Sequence, residues 1–157
     1  MENIKSGLVE LLTRGGVYRE IGGSTPREVL TAFIGALPTS KPPAGLLEAV
    51  LEREDLMPTG IGGGIALPHP RNPLVESESE QFVALAFLEH PVKWNSLDGE
   101  RVAALFLIVS ASAKQHLHAL SEINYFCRME NFQRLLKERA ALEELLSFIK
   151  ETEKNWQ

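Results

Sequence analysis

"TGIGGGIALPHPRNP", residues 59–73, puts four glycines into five positions, follows them with a short apolar run, and ends that run at a histidine held between two prolines. Glycine supplies positive φ at no steric cost, so "GIGGG" reads as a tight turn joining two short strands. Pro68 and Pro70 fix their own φ and restrict the residues before them, which holds His69 extended on a stiff backbone. A dinucleotide fingerprint would need glycine at position 65, which is Ile65, and the prolines prevent a helix from opening after the glycines. No Gly-Lys-Ser/Thr follows, so the segment is not a nucleotide phosphate loop.

The flanking chain alternates helix and strand signals. "GLVELLTRGG" reads as a short helix stopped by Gly15 and Gly16, and "VYREI" as a brief strand. In "STPREVLTAFIGAL", Thr25 caps, Pro26 takes the first helical position and Glu28 completes a capping box, with Val29, Leu30, Phe33, Ile34 and Leu37 on one face. "AGLLEAVLERED" is a further helix with Arg53 near its C-terminal end, where the dipole favours a cation. Beyond the glycines, residues 81–88 ("QFVALAFL") and "RVAALFLIVSA" read as buried strands, joined by the turn-rich "PVKWNSLDGE" with its "DG" hairpin signal. "SAKQHLHALSEINYFCRM" starts a helix with capping-box spacing at Ser112 and Gln115, and His116, Leu120, Ile123 and Cys127 share a face. Two more helices, "ENFQRLLKE" and "AALEELLSFIKE", complete a mixed α/β pattern.

Composition narrows the function. A chain of 157 residues suits one unit with its own core, and no linker divides residues 1–157. The net charge of −5 and the lack of a basic cluster argue against a nucleic-acid binder. No apolar run is long enough to span a membrane, and the N-terminus does not read as a secretory signal. The single cysteine, Cys127, excludes an internal disulfide and a cysteine-rich zinc site. A cytoplasmic protein is therefore expected, with no cofactor and no metal. His116 and His118 could form a ligand pair, but side chains two apart on a helix diverge. Ser24, Ser40 and Ser121 lie outside any Gly-x-Ser-x-Gly, so a serine hydrolase fits poorly.

Among the other histidines, His90 falls in a connection and reads as a surface residue. His116 sits in the first turn of its helix, either seating the helix or donating to an anion at the helix start. His118 faces elsewhere. Arg53, taken alone, reads as a solvated helix-end charge.

"REDLMPTGIGGGIALPH" resembles the active-site signature of the IIA domains of the bacterial phosphoenolpyruvate-dependent phosphotransferase system, in the fructose/mannitol class that includes the nitrogen-regulatory IIA proteins. The matching positions are Arg53, Glu54, Thr59, Gly60, Ile61, Gly62, Gly64, Ile65, Ala66, Pro68 and His69. "HLHALS" from His116 is similar to the second histidine motif of that family, His-Leu-x-x-Leu-Ser. The resemblance implies a phosphocarrier of α/β fold, with a single layer of mixed parallel and antiparallel sheet and helices on both sides. It implies that His69 accepts a phosphoryl group from phosphorylated HPr, that His116 orients His69 or contacts the phosphoryl group, and that Arg53 stabilises charge. The prolines are then expected to aim His69 outward, and the glycines to let the main chain pack close around the site. Two positions depart from the pattern: Pro58 replaces a serine, and Pro70 replaces a glycine.

Three roles follow. The first is a regulator that acts on partner proteins according to its phosphorylation. The second is a sugar-uptake component passing phosphate to a separate IIB. The third is an unphosphorylated interaction module, which would need neither His69 nor His116.

Overall fold

The computed structural model describes residues 7–155. In chain order it contains α1 (Leu8–Gly15), β1 (Val17–Ile21), α2 (Pro26–Ala36), α3 (Leu46–Leu56), β2 (Gly60–Gly62), β3 (Ile65–Ala66), β4 (Phe82–Val92), β5 (Val102–Val109), α4 (Ala113–Cys127), α5 (Glu130–Lys137) and α6 (Leu142–Lys154). The strands form one sheet in the order β1-β4-β5-β3-β2. β1 runs parallel to β4 and β3 parallel to β5, while the β4–β5 and β2–β3 pairs are antiparallel. The mixed single-layer sheet expected above is present.

The two central strands are buried on both faces, which explains their near-continuous apolar sequence. Val83, Leu85 and Phe87 of β4, with Phe106 and Ile108 of β5, pack against α1, α4, α5 and α6. The alternate residues Phe82, Ala84, Ala86 and Leu88, with Leu105 and Leu107, pack against α2 and α3. A period of two along each strand thus feeds two cores.

The helix ends follow the chemistry read from sequence, with two refinements. Thr25 accepts from the Glu28 amide at 3.2 Å, but the Glu28 carboxylate accepts from Ser24 N (2.8 Å) instead of closing the box on Thr25. Ser112 likewise accepts from Gln115 N, while the Gln115 amide donates to Glu78. β4 also extends four residues beyond the expected end. His90 therefore lies in a strand instead of a connection, and it remains exposed as expected. The extension contains Pro91, which a strand end tolerates.

Off the sheet, α4 carries a carboxylate in an unfavourable place. Glu122 is partly buried against α1 and α6, near Glu153, with His118 Nε2 3.2 Å from its Oε1. Burial, reinforced by Glu153, pushes its carboxyl up to about 7, against a hydrogen bond from the Leu8 backbone that pulls it down.

Two outcomes are expected in denaturation. Between about pH 4.5 and 7 the folded chain holds a proton on Glu122 that the unfolded chain has lost, so stability falls as pH rises through that window. Glu122→Gln should remove this slope, and urea midpoints should show the variant more stable than the parent at pH 8 and level with it near pH 4.5. Gly15 ends α1 against β4, where an added Cβ would lie 1.9 Å from the Val83 carbonyl oxygen. Gly15→Ala should cost about 3 kcal/mol in the same assay.

Candidate functional site

The glycine segment does two separate jobs. Gly62, Gly63 and Gly64 have φ of 95°, 67° and 82°, and they turn β2 into β3. The turn is clamped by Asp98 from the β4–β5 connection, whose carboxylate accepts from Gly63 N at 2.9 Å. That hydrogen bond, with a second from Glu100 N, holds the Asp98 carboxyl below its ordinary range. Gly60 is needed for close approach instead, because a Cβ there would lie 2.1 Å from Ser96 Oγ. Of these four glycines only Gly60 lines the cavity that holds His69, so the expectation that the glycines pack around the site holds at that position alone.

His69 lies three residues beyond the end of β3. Pro68 extends the strand's bonding, its carbonyl accepting from Ile108 N at 3.1 Å. The ring does not project outward, contrary to the expectation from the flanking prolines. It is 9% exposed, recessed at a cavity of about 190 Å³ that Arg53, Thr59, Leu120 and Asn124 also line. The reason is a hydrogen bond: Nδ1 lies 2.7 Å from the carbonyl oxygen of Leu67, two residues back, which folds the ring over its own backbone.

That bond decides the chemistry of the ring. A carbonyl oxygen only accepts, so Nδ1 carries the proton. A neutral imidazole has one N–H, and the lone pair is therefore on Nε2. Burial is the largest influence on the ring's acidity and lowers its pKa to about 4. The Leu67 bond opposes this, and the nearby His116 and Arg53 add to it. At neutral pH His69 is a neutral imidazole with a single free nucleophilic nitrogen.

The structure brings the three expected residues together. The His116 ring, from the first turn of α4, lies 4.5 Å from the His69 ring, centroid to centroid, tilted by 46°. Burial, then the Arg53 charge, lowers its pKa too. Arg53 has one arm on the α3 end, Nη1 donating to Met57 O at 2.7 Å. It is thus a helix-end charge as expected, and it also lines the His69 cavity. His118 and His90 lie apart, beside Glu122 and Glu89 respectively. The buried thiol of Cys127 is pushed up to about 12 and is not a nucleophile. Among the described residues no cluster of three or more His, Cys, Asp or Glu could hold a metal ion.

Several residues that support the site carry no assigned role in the sequence. Glu54 Oε2 accepts from Thr59 N (2.7 Å) and from Trp94 Nε1 (2.9 Å), and Oε1 accepts from Thr59 Oγ1 (2.7 Å). Thr59 O accepts in turn from Leu67 N at 3.0 Å, and Leu67 O from His69. A continuous path therefore runs from Trp94 through Glu54, Thr59 and Leu67 to the imidazole. Glu54 and Thr59 stand in the motif, but nothing local marks Trp94, which is 40 residues away from Glu54. Asn124 stands outside the expected stripe, and the signal that points to it is its place four residues beyond Leu120 on α4. The expected stripe divides in the structure: Leu120 lines the cavity with Asn124, while Ile123 and Cys127 enter the core.

A recessed, singly protonated histidine stands here beside a second histidine and an arginine. The comparisons with known proteins give the class. The family model for the phosphoenolpyruvate-dependent sugar phosphotransferase system, EIIA 2, matches residues 10–152, and the chain belongs to that family. Within it, the chain is similar to the nitrogen regulatory protein of Escherichia coli (strain K12), 34% identical over 122 residues that make up 76% of this chain and 74% of that protein. The fold matches the nitrogen regulatory protein IIA-Ntr from Neisseria meningitidis with a TM-score of 0.66 at 23% identity, covering 83% of this chain and 90% of that one. It also matches the complex of enzyme IIAMTL and phosphorylated enzyme IIBMTL from Escherichia coli, with a TM-score of 0.63 at 18% identity, covering 83% and 93%. No helix among the described residues is long and apolar enough to cross a membrane.

The tautomer and the acidity are both measurable. In a 15N-edited NMR titration His69 should titrate near pH 4, with Nδ1 protonated and Nε2 bare throughout the neutral range. A midpoint near 6.5 would show that the ring is solvated instead of recessed.

Proposed function

We propose that this chain is a phosphohistidine carrier in which His69 Nε2 takes a phosphoryl group from an HPr-type carrier and His116 and Arg53 assist. The observation that carries the reading is the bond from His69 Nδ1–H to Leu67 O, which leaves Nε2 as the reacting nitrogen. The Nε2 lone pair attacks phosphorus as the donor's N–P bond breaks, and the bonding electrons return to the donor's ring nitrogen. Such transfer depends on in-line placement and charge stabilisation more than on bond-making by the protein. His69 keeps its Nδ1 proton against Leu67, so the phosphorylated ring is cationic and remains a good leaving group for onward transfer. Arg53 lines the same cavity and offsets charge on the phosphoryl oxygens. His116, against the His69 ring, holds the imidazole in place and can contact the phosphoryl group.

The recess sets how a donor protein must meet the site. Ile61 is 42% exposed, Met57 65% and Leu117 61%, and each neighbours a residue of the site in sequence or lines its cavity. These side chains offer an apolar rim for docking. Residues 1–157 act as one type-2 IIA unit, a reading supported by two cores that share β4 and β5. We place it in the cytoplasm and read it as a regulator that engages partner proteins by phosphorylation state, in line with its similarity to nitrogen regulatory proteins. Onward transfer to a separate IIB is the second reading, favoured by the fold match to a IIA bound to a phosphorylated IIB. A module that never carries phosphate has no use for a histidine pair set ring to ring.

The test is incubation with phosphoenolpyruvate, Enzyme I and HPr, followed by intact-mass measurement. An acid-labile, base-stable gain of one phosphate is expected, lost in His69→Ala and slowed in His116→Ala without relocation. Arg53→Gln should slow uptake by about a hundredfold. A label that persists in His69→Ala assigns the nucleophile elsewhere.

A further inference from the structure

Ser110 follows the last residue of β5 and is only 7% exposed, yet its hydroxyl has no hydrogen-bond partner among the described residues. It lines a cavity of about 260 Å³, separate from the one His69 opens into. The same cavity meets the start of the 15-residue α4 at Ser112 and Ala113. Ser112 Oγ takes the Gln115 amide and Ser112 O the His116 amide, so the Ala113 amide, on the cavity wall, is the donor offered at this positive dipole end. Arg71 stands on the cavity wall, exposed, with no ion pair or hydrogen bond among the described residues. The remaining wall is largely apolar, with Pro73, Ile108 and Leu117.

We propose that this cavity binds a small organic monocarboxylate with a short branched apolar tail. The Ser110 hydroxyl and the Ala113 amide would donate to the carboxylate, Arg71 would neutralise it, and Ile108 and Leu117 would cover the tail. Charge counting selects a monoanion. Arg71 is the one formally charged residue on the wall, and His116, which also lines it, is kept neutral by burial and by Arg53. A phosphate dianion would find one cation for two charges. The volume lies just below the usual range for small-molecule pockets, which limits the tail to a few carbons.

The site has a built-in line to the phosphoryl chemistry. His116 faces this cavity and packs on the His69 ring, so a bound ligand presses on the group that orients the nucleophile. Binding itself does not depend on phosphoryl transfer and is read with no phosphoryl donor present, so its failure would leave the carrier reading intact.

The experiment is titration of the 15N-labelled chain with 3-methylbutanoate, using 3-methylbutanamide and inorganic phosphate as comparisons. Saturable shifts are expected at the Ser110, Ala113 and Leu117 amides, with the uncharged amide binding about tenfold more weakly and Arg71→Gln raising Kd about tenfold. Arg71 is exposed, so that variant keeps the fold. Shifts that stay linear in ligand concentration would overturn the proposal. So would equal affinity for the amide, tighter binding of phosphate at these residues, or an unchanged Kd in Arg71→Gln.

Discussion

The antiparallel pairing of β4 with β5 is the constraint from which the rest of the molecule is arranged. Its register sets Leu85 against Phe106 and Ala86 against Leu105, so each face of the pair is apolar and each needs a cover of helices. A one-residue slip would exchange the two faces and mismatch both cores. The outer edge of β5 then takes β3 in parallel, which brings the segment after β3 alongside the end of β5. His69 and Ser110 both emerge there, next to the start of α4. In open α/β sheets, crevices at the carboxyl ends of strands are where ligands bind. Both cavities discussed above occupy that edge.

Precision at His69 comes from hydrogen bonds that converge on backbone. Glu54 gathers three donors from Thr59 and Trp94, and Thr59 passes the order to Leu67 through its carbonyl. Leu67 then spends its own carbonyl on the imidazole. The path starts at Trp94, outside the cavity, and reaches the ring through Thr59 and Leu67, which line it. Its effect is to select one tautomer and one orientation, as second-layer partners do for histidines generally. Recession adds the other half, since loss of water around the ring disfavours the imidazolium and keeps the nitrogen basic site unoccupied by a proton.

The two departures from the family pattern fall on the walls of this arrangement. Pro58 lines the His69 cavity beside Thr59, and it supplies no hydroxyl there. The bonds that order Thr59 come from its own amide and hydroxyl to Glu54, so they survive the change. Pro70 lines the second cavity instead, where its ring adds apolar wall between the histidine and Arg71.

Local chemistry in the chain was enough to determine the helices with their capping residues, the two buried strands and the glycine turn, and a long linear motif marked His69, His116 and Arg53 as candidates. These follow from periodicity, from capping side chains, from positive φ and from a long linear motif, all of which act between neighbours in sequence. Tertiary structure alone decided that His69 is recessed, because Arg53 from α3 and Leu120 and Asn124 from α4 wall the cavity around the ring. It also decided that Trp94 orders the site, that β4 runs on through His90, and that His116 divides two cavities. Each of these depends on contacts between segments far apart in the chain, and no local pattern of residues encodes where a distant strand will pass.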